Sequence, residues 1–425
     1  MIVLLQRGWQ AASGLATLYF VTRFLSPDDQ GFYYTISTLV GMMVALDLGL
    51  TNILVPLTSK HVVNSANSES LGDDLLGVGS YAVRWFRYSG LLILIIAPLG
   101  LAFLNMRSES GGASLGYAWY AVVLGAVGVY MLSPFVLLLE GMGRITEVYG
   151  QRLVQGVLAS LCMWLALYEG LGLYAVAIPS LVCLAATLAW LIVRHSVLLK
   201  QVWRTKPLAN WSQHIWPIQW RTGANVFIGY LLVFAYTPMY YALFGPQEAG
   251  KIGLTMVCSN TLFVLSISGL VGKFPKLSKL LAEGRFKAAD DLYVTEVAKA
   301  TRLFGLLSIG FLIMLFALKD DAIAERFMSF TQVACIQFAM FFYLKAAALG
   351  YFLRAHLVDR TLRLNLVALL SMAVIGALLS VMLGIWGVPV ALMIVFIGYL
   401  APATKSAVEQ LKQSGVVRVE SEGVV

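Results

Sequence analysis

Five ionisable side chains lie inside or at the ends of long apolar stretches, where charge is costly: Arg7, Arg23, Asp47, Arg221 and Lys345. Four are cations, and a guanidinium group binds an oxyanion through two parallel hydrogen bonds. Asp47 is the only carboxylate well inside an apolar stretch, so it is a candidate H+ or Na+ site. The four cations therefore favour binding of an anion, and Asp47 favours binding of H+ or Na+.

Each cation also has a structural interpretation that the sequence leaves open. Arg23 and Lys345 lie near the ends of their apolar stretches, so their side chains can extend toward water. Arg7 and Arg221 stand where apolar stretches begin, as residues that anchor a helix at the membrane surface do.

Three other residues inside these stretches are candidates for a functional role. Gln10 and Asn225 offer hydrogen bonds to a polar substrate, or alternatively to a neighbouring helix. Asp47, already named above, likewise has a structural alternative, in which it pairs with a nearby cation or hydroxyl. Pro238 lies in the middle of an apolar stretch and removes a backbone donor there, so it is a candidate hinge.

The elements that must position these residues are membrane-spanning helices. Of the 425 residues 59% are hydrophobic and 12% charged, with a mean hydropathy of +0.80. Twelve apolar segments follow one another, each of about the length that crosses a bilayer. Since the alternation typical of membrane strands is missing, we predict an all-α polytopic membrane protein with 12 transmembrane helices.

Charge alternates between successive breaks, which predicts the orientation of the chain. The N-terminal end and every second break carry 24 of the 30 basic residues. By the positive-inside rule both termini face the cytoplasm. The basic residues that give the chain its net charge of +8 are therefore expected to contact anionic lipid headgroups. The net charge thus indicates no nucleic-acid partner.

A weak internal repeat has an offset of 219 positions. It pairs Pro27 with Pro246 and Gly31 with Gly250, and with a short insertion it also pairs Arg7 with Arg221. Six spans in each copy predict two six-helix, pseudo-symmetric lobes with a central cavity between them.

The repeat divides the chain into four predicted regions. The N-terminal lobe covers residues 1–194, and a cytoplasmic linker, expected to be amphipathic, covers 195–216. The C-terminal lobe covers 217–404, and a cytoplasmic tail covers 405–425.

The first predicted outer turn carries a family signature. Arg23, Leu25, Pro27 and Gly31 form an Arg-x-Leu-x-Pro-x-x-x-Gly pattern, followed by "FYYTISTL" and by "DLGL" at 47–50. The chain resembles the polysaccharide and O-antigen flippases of the multidrug/oligosaccharidyl-lipid/polysaccharide exporter superfamily. The relatives that move the peptidoglycan precursor usually have fourteen helices and an Arg-Asp pair in the first helix, which this chain lacks.

The resemblance implies a function in polysaccharide biosynthesis, including that of lipopolysaccharide. Such a flippase moves an undecaprenyl-pyrophosphate-linked oligosaccharide from the cytoplasmic to the periplasmic leaflet of the bacterial inner membrane by alternating access. Arg7 and Arg221 would hold the diphosphate, and H+ or Na+ would be the coupling ion. The implied substrate-binding residues of the cavity are Arg7, Arg221, Arg23, Lys345, Gln10 and Asn225.

Other classes remain as alternatives. A drug or ion antiporter of the same superfamily would favour several buried carboxylates, and a membrane-embedded polysaccharide polymerase or ligase would carry a large periplasmic loop. No phosphate-binding loop, metal-ligand spacing or nucleophile-base pattern is found, so we expect no enzyme activity, metal or other cofactor. The expected partners are the lipid-linked oligosaccharide, membrane lipids and polysaccharide polymerase or assembly proteins.

Overall fold

The computed structural model describes residues 2–65, 71–107, 112–206, 216–355 and 361–413. In these ranges the chain forms fifteen α-helices, joined by short turns and 3-10 segments, and no β-strand. The predicted all-α class is therefore confirmed for the described part of the chain.

The first half contains seven helices, of which α2 and α3 follow each other in one broken span. Their bounds are α1 Ile2–Phe24, α2 Pro27–Val44, α3 Leu50–Ser65, α4 Leu71–Asn105, α5 Gly112–Gly141, α6 Ile145–Tyr168 and α7 Ile178–Arg204.

The second half contains eight helices and one π-helical turn, Phe396–Leu400, which joins the last two of them. The helices are α8 Trp216–Phe234, α9 Tyr236–Phe244, α10 Pro246–Ala282, α11 Phe286–Ala317, α12 Phe330–Ala355, α13 Thr361–Leu383, α14 Gly387–Val395 and α15 Ala401–Gln413.

Seven helical stretches of the described chain are long and apolar enough to cross a membrane, and the bent pair α8–α9 makes an eighth. One of the seven, Thr361–Gln410, contains both α13 and the run from α14 to α15. Counting these as two spans, and adding α1, α2–α3 and α6, gives the twelve that the apolar segments predicted.

Two compact units divide the chain. One contains Met1–Phe227 and Gly245–Gly250, and the other contains Ile228–Phe244 and Lys251–Val425. The division thus falls inside α8, rather than in the segment 195–216 that the repeat suggested as a linker.

The turn after α1 leads directly into a helix N-terminus. Ser26 donates to the Asp29 carboxylate at 2.8 Å and accepts the Asp29 backbone N–H at 3.0 Å, and Pro27 occupies the first helical position, where no N–H is needed. Gly31 lies inside α2, after the turn itself. A Cβ there would overlap the Pro246 backbone, so this glycine permits a close helix crossing within the first unit.

The predicted linker is in part a continuation of α7. This helix passes through a kink at His195, whose φ of −131° and ψ of 24° are not helical, and continues to Arg204. His195 Nε2 lies 2.9 Å from the Glu147 carboxylate on α6, which ties the kink to the neighbouring helix. The remainder of the linker, residues 207–215, and the tail from 414 onward lie outside the described residues.

Candidate functional site

Arg7 and Gln10 lie on the free side of α1. The packed side of this helix carries Trp9 and Phe20, whose rings lie 6.3 Å and 5.3 Å from the Trp164 ring of α6. At about 100° per residue, Arg7 is nearly opposite Trp9 around the helix. Both Arg7 and Gln10 are exposed, and Arg7 forms no ion pair within the described residues.

A packing contact on one side of α8 determines which way Arg221 and Asn225 face, because these two residues lie on the opposite side of the helix. Gln219 is buried and donates at 3.5 Å to the Asp47 carbonyl, and Gly223, one turn later, packs on the backbone of Leu48. Arg221 and Asn225 are four residues apart and therefore share the other face of α8. The Arg221 guanidinium is exposed and lies 5.7 Å from the Trp220 ring centroid.

The other two predicted cations are exposed as well. Arg23 lies in the last turn of α1, and its side chain forms no ion pair among the described residues. The Lys345 ammonium on α12 lies 4.6 Å and 5.7 Å from the ring centroids of Phe341 and Phe342, a cation–π arrangement. The described structure places Arg23 in the first unit and Lys345 in the second.

Asp47 occupies a break between α2 and α3. The chain there turns through a short 3-10 segment and then through Leu48 and Gly49, whose φ angles are 49° and 78°. The buried Asp47 carboxylate accepts the backbone N–H of Gly49 at 2.7 Å and that of Thr51 at 3.3 Å. These bonds satisfy donors at the start of α3 that no preceding turn can satisfy.

This arrangement predicts how Asp47 variants behave. We expect Asp47→Ala to lower the stability of the solubilised protein by about 1 kcal/mol, the usual cost of losing a helix cap. Asp47→Asn keeps an acceptor for Gly49 and should lose less than half of that, as measured by thermal unfolding. A stable Asp47→Asn protein whose transport no longer responds to an imposed pH or sodium gradient would instead identify Asp47 as the coupling site.

Pro238 lies just after a break in its span. The preceding helix α8 ends at Phe234, the residue whose carbonyl would receive the hydrogen bond that a proline at 238 cannot donate. The axes of α8 and α9 differ by 43° at this point. The bend thus stands where the sequence placed a candidate hinge, and movement about it remains a prediction.

A cavity of about 300 Å³ lies inside the first unit, among α3, α4, α5, α6 and α7. One side of it is polar. Gln151 donates to Gln155 Oε1 at 2.8 Å and to Thr187 Oγ1 at 3.2 Å, and Thr187 donates to the same Gln155 oxygen at 2.9 Å. Arg152 also lines the cavity, but its charge is compensated by Glu140 at 2.7 Å. The cavity can therefore take water or a neutral polar group.

The polar residues of this cavity are not among the candidates that the sequence predicts. Gln151 and Gln155 are four residues apart in one apolar span, which predicts a shared face, and this was the available signal. Their partner Thr187 is separated from them by more than thirty positions, so only the folded chain reveals the cluster.

The second unit has its own buried polar chain. Gln337 on α12 donates to Ser259 on α10 at 2.7 Å and accepts from Ser308 on α11 at 3.1 Å. These bonds join three spans through side chains that hydrocarbon could not satisfy. They indicate packing between helices, since each of these polar groups has its partner.

Solved structures with the same arrangement of helices match this chain over nearly its entire length. An inward-facing MATE-family multidrug resistance transporter of the MOP superfamily has a TM-score of 0.69 at 13% identity, covering 96% of this chain and 96% of its own. The lipid II flippase MurJ, in an inward closed conformation, also scores 0.69 at 11% identity, covering 98% of this chain and 89% of its own. The chain has the MATE and MurJ fold.

Other matches agree with this fold. The eukaryotic MATE transporter AtDTX14 scores 0.58 at 13% identity over 98% of both chains. No family profile and no curated protein sequence matches the chain. The prediction of an all-α polytopic membrane protein with twelve spans in two lobes is thus confirmed.

Within the MATE and MurJ fold, the described residues provide two kinds of polar surface. Arg7 and Arg221 are exposed cations on helices that begin the two halves, and each points away from the face by which its helix is packed. The cavity of the first unit is lined mostly by apolar side chains, with amides and hydroxyls on one side, and the charge of Arg152 there is compensated by Glu140. Each of these cations can bind an anion, and the cavity can accept neutral hydrogen-bonding groups.

Proposed function

We propose that the protein is a flippase that moves an undecaprenyl-pyrophosphate-linked oligosaccharide from the cytoplasmic to the periplasmic leaflet by alternating access. The observation that carries the proposal is the fold. Over 98% of its length this chain matches the structure of MurJ, which is a lipid II flippase. The cations on α1 and α8 support an anionic substrate.

The proposed chemistry is binding and release, without a covalent step. A diphosphate cannot cross hydrocarbon unaided, because even one uncompensated ion costs several kcal/mol or more. Arg7 and Arg221 would hold its oxygens bidentately, while Arg23 and Lys345 would be further cations along the route. Gln10 and Asn225 would offer hydrogen bonds to sugars.

A drug or ion antiporter is the second candidate, because a MATE transporter has the same TM-score as MurJ. Antiport would favour carboxylates free to exchange protons or sodium. Asp47, the carboxylate inside a span, is engaged by two backbone N–H groups. This engagement favours the flippase over the antiporter.

The proposal is tested by reconstituting the protein in vesicles that contain a fluorescent undecaprenyl-pyrophosphate glycan. We expect the label of the inner leaflet to become accessible to a membrane-impermeant quencher at a rate that depends on the amount of protein. Vesicles with a matched fluorescent phosphatidylcholine serve as the control and should show no such acceleration. Transport of a cationic dye, with no movement of the glycan, would establish the antiporter instead.

A further inference from the structure

We propose that the inner end of the first unit carries a binding site for the headgroup of an anionic phospholipid, formed by α4 and the part of α7 after the kink. This site is separate from the cations assigned to the substrate, and the proposal does not depend on what the protein transports.

The kink gives the end of α7 one packed side and one free side. Beyond His195, Val202 is 1% exposed and lies against Gly79 of α4. Ser80 of α4 donates to the Thr205 carbonyl at 2.6 Å, which closes the same contact. The end of α7 is therefore fixed along the inner turns of α4.

The free side of this segment combines apolar and basic groups. Val197 is 66% exposed and Trp203 is 59% exposed, although both are apolar. Lys200 and Arg204, one turn apart, are exposed on the same side. A helix with this composition lies in the lipid interface, its apolar groups among acyl chains and its cations near phosphates.

The neighbouring helix adds two more cations. Arg84 and Arg87 follow Ser80 by about one and two turns on α4, so they lie on the side that meets α7. The Arg87 guanidinium is 5.4 Å from the Trp203 ring and 6.0 Å from the Tyr88 ring. A guanidinium that stacks on aromatic rings keeps its N–H groups directed outward, where they can bind a phosphate.

Two carboxylates near this end of the unit, one on α5 and one on α6, have partners of their own. Glu140 pairs with Arg152 at 2.7 Å, and Glu147 pairs with His195 at 2.9 Å. None of the four cations of the site forms an ion pair among the side chains that the structure describes. In the second unit, by contrast, the buried Glu296 accepts bonds from two lysines at 2.6 Å and 2.9 Å.

The position favours a lipid over a soluble anion. Arg87 stands just before the long apolar part of α4, and the apolar part of α7 ends at Val193, just before the kink. The cations are thus near the level of headgroups. The exposed Trp203 and Val197 beside them would contact acyl chains, which a soluble phosphate does not have.

The test compares lipid binding by two charge-matched pairs of variants. Purified protein in detergent is titrated with phosphatidylglycerol or phosphatidylcholine, and the retained lipid is counted by native mass spectrometry. We expect Arg84→Gln with Arg87→Gln to weaken phosphatidylglycerol binding about 25-fold, from about fivefold for each charge. The control, Lys287→Gln with Arg302→Gln, removes two exposed cations of α11 and should leave binding unchanged.

Several results would overturn the proposal. Equal losses in the two pairs would mean that charge acts generally, and equal retention of the two lipids would mean that no headgroup is recognised. Inorganic pyrophosphate that displaces phosphatidylglycerol at low concentration would assign the site to a soluble diphosphate. If the α4 pair does not fold, Lys200→Gln with Arg204→Gln, on the exposed side of α7, is expected to give the same loss.

Discussion

Gly223→Val is expected to destabilise the protein strongly, whereas Gly229→Val in the same helix is expected to have little effect. A Cβ at Gly223 would overlap the backbone of Leu48 at the break between α2 and α3. At Gly229 no atom lies within 4 Å of the added Cβ. The two variants therefore differ in packing and not in helix propensity.

The cost at Gly223 arises because neither side of the contact can yield easily. The facing atoms are backbone, and Leu48 and Gly49 already have positive φ angles of 49° and 78°. Overpacking typically costs about 1–3 kcal/mol, and this contact belongs at the upper end since no side chain can rotate away. Valine in place of glycine slightly favours the helix, which offsets a few tenths of a kcal/mol in both variants.

The measurement is thermal unfolding of the detergent-solubilised proteins, together with the fraction recovered as a single species by gel filtration. The Gly223→Val protein should unfold several degrees lower or fail to accumulate, while Gly229→Val should match the unsubstituted chain. Equal unfolding temperatures for both variants would mean that α8 does not dock through Gly223.

Much of the architecture could be predicted from the sequence because it depends on local quantities. The length of each apolar stretch determines whether a helix can span the bilayer, and Pro27 beside Asp28 and Asp29 indicates a helix start. The bend before Pro238 follows from a missing backbone donor four residues after Phe234. These features require no knowledge of distant partners.

The contacts that position the candidate residues could not be predicted in this way. Asp47 was a candidate ion site because it is a charged residue inside a span. Its bonds to Gly49 and Thr51 depend on a local unwinding of the helix that the neighbouring residues do not predict. Gln219 reaches the Asp47 carbonyl across 172 positions. No pattern of periodicity specifies such a pairing.

Glu147 and His195 illustrate a similar limit. The sequence placed residue 195 at the start of a linker, whereas the folded chain buries His195 against a carboxylate 48 positions away. The segment after it thereby becomes part of α7. Burial of a polar residue depends on the helices around it, so the composition of the segment alone did not reveal that α7 continues through it.

The largest functional effect is expected from Arg7→Ala combined with Arg221→Ala. Both side chains are exposed on helix faces that point away from packing contacts, so their removal should leave the fold intact. A hydrogen bond to a charged group contributes about 1.5–3 kcal/mol, which corresponds to about tenfold or more for each arginine that holds the diphosphate. Translocation of the fluorescent glycan should thus fall by about 100-fold or more.

Two further variants distinguish a diphosphate clamp from a general need for charge. Arg7→Lys with Arg221→Lys keeps both charges but loses the bidentate fork, so we expect an intermediate rate with a weaker apparent affinity. Lys287→Ala with Arg302→Ala removes two exposed cations of α11 and should translocate at the original rate. A double alanine variant of Arg7 and Arg221 that remains fully active would exclude the clamp. The flippase proposal would then rest on the vesicle assay alone, because that assay measures glycan movement regardless of which cations hold the substrate.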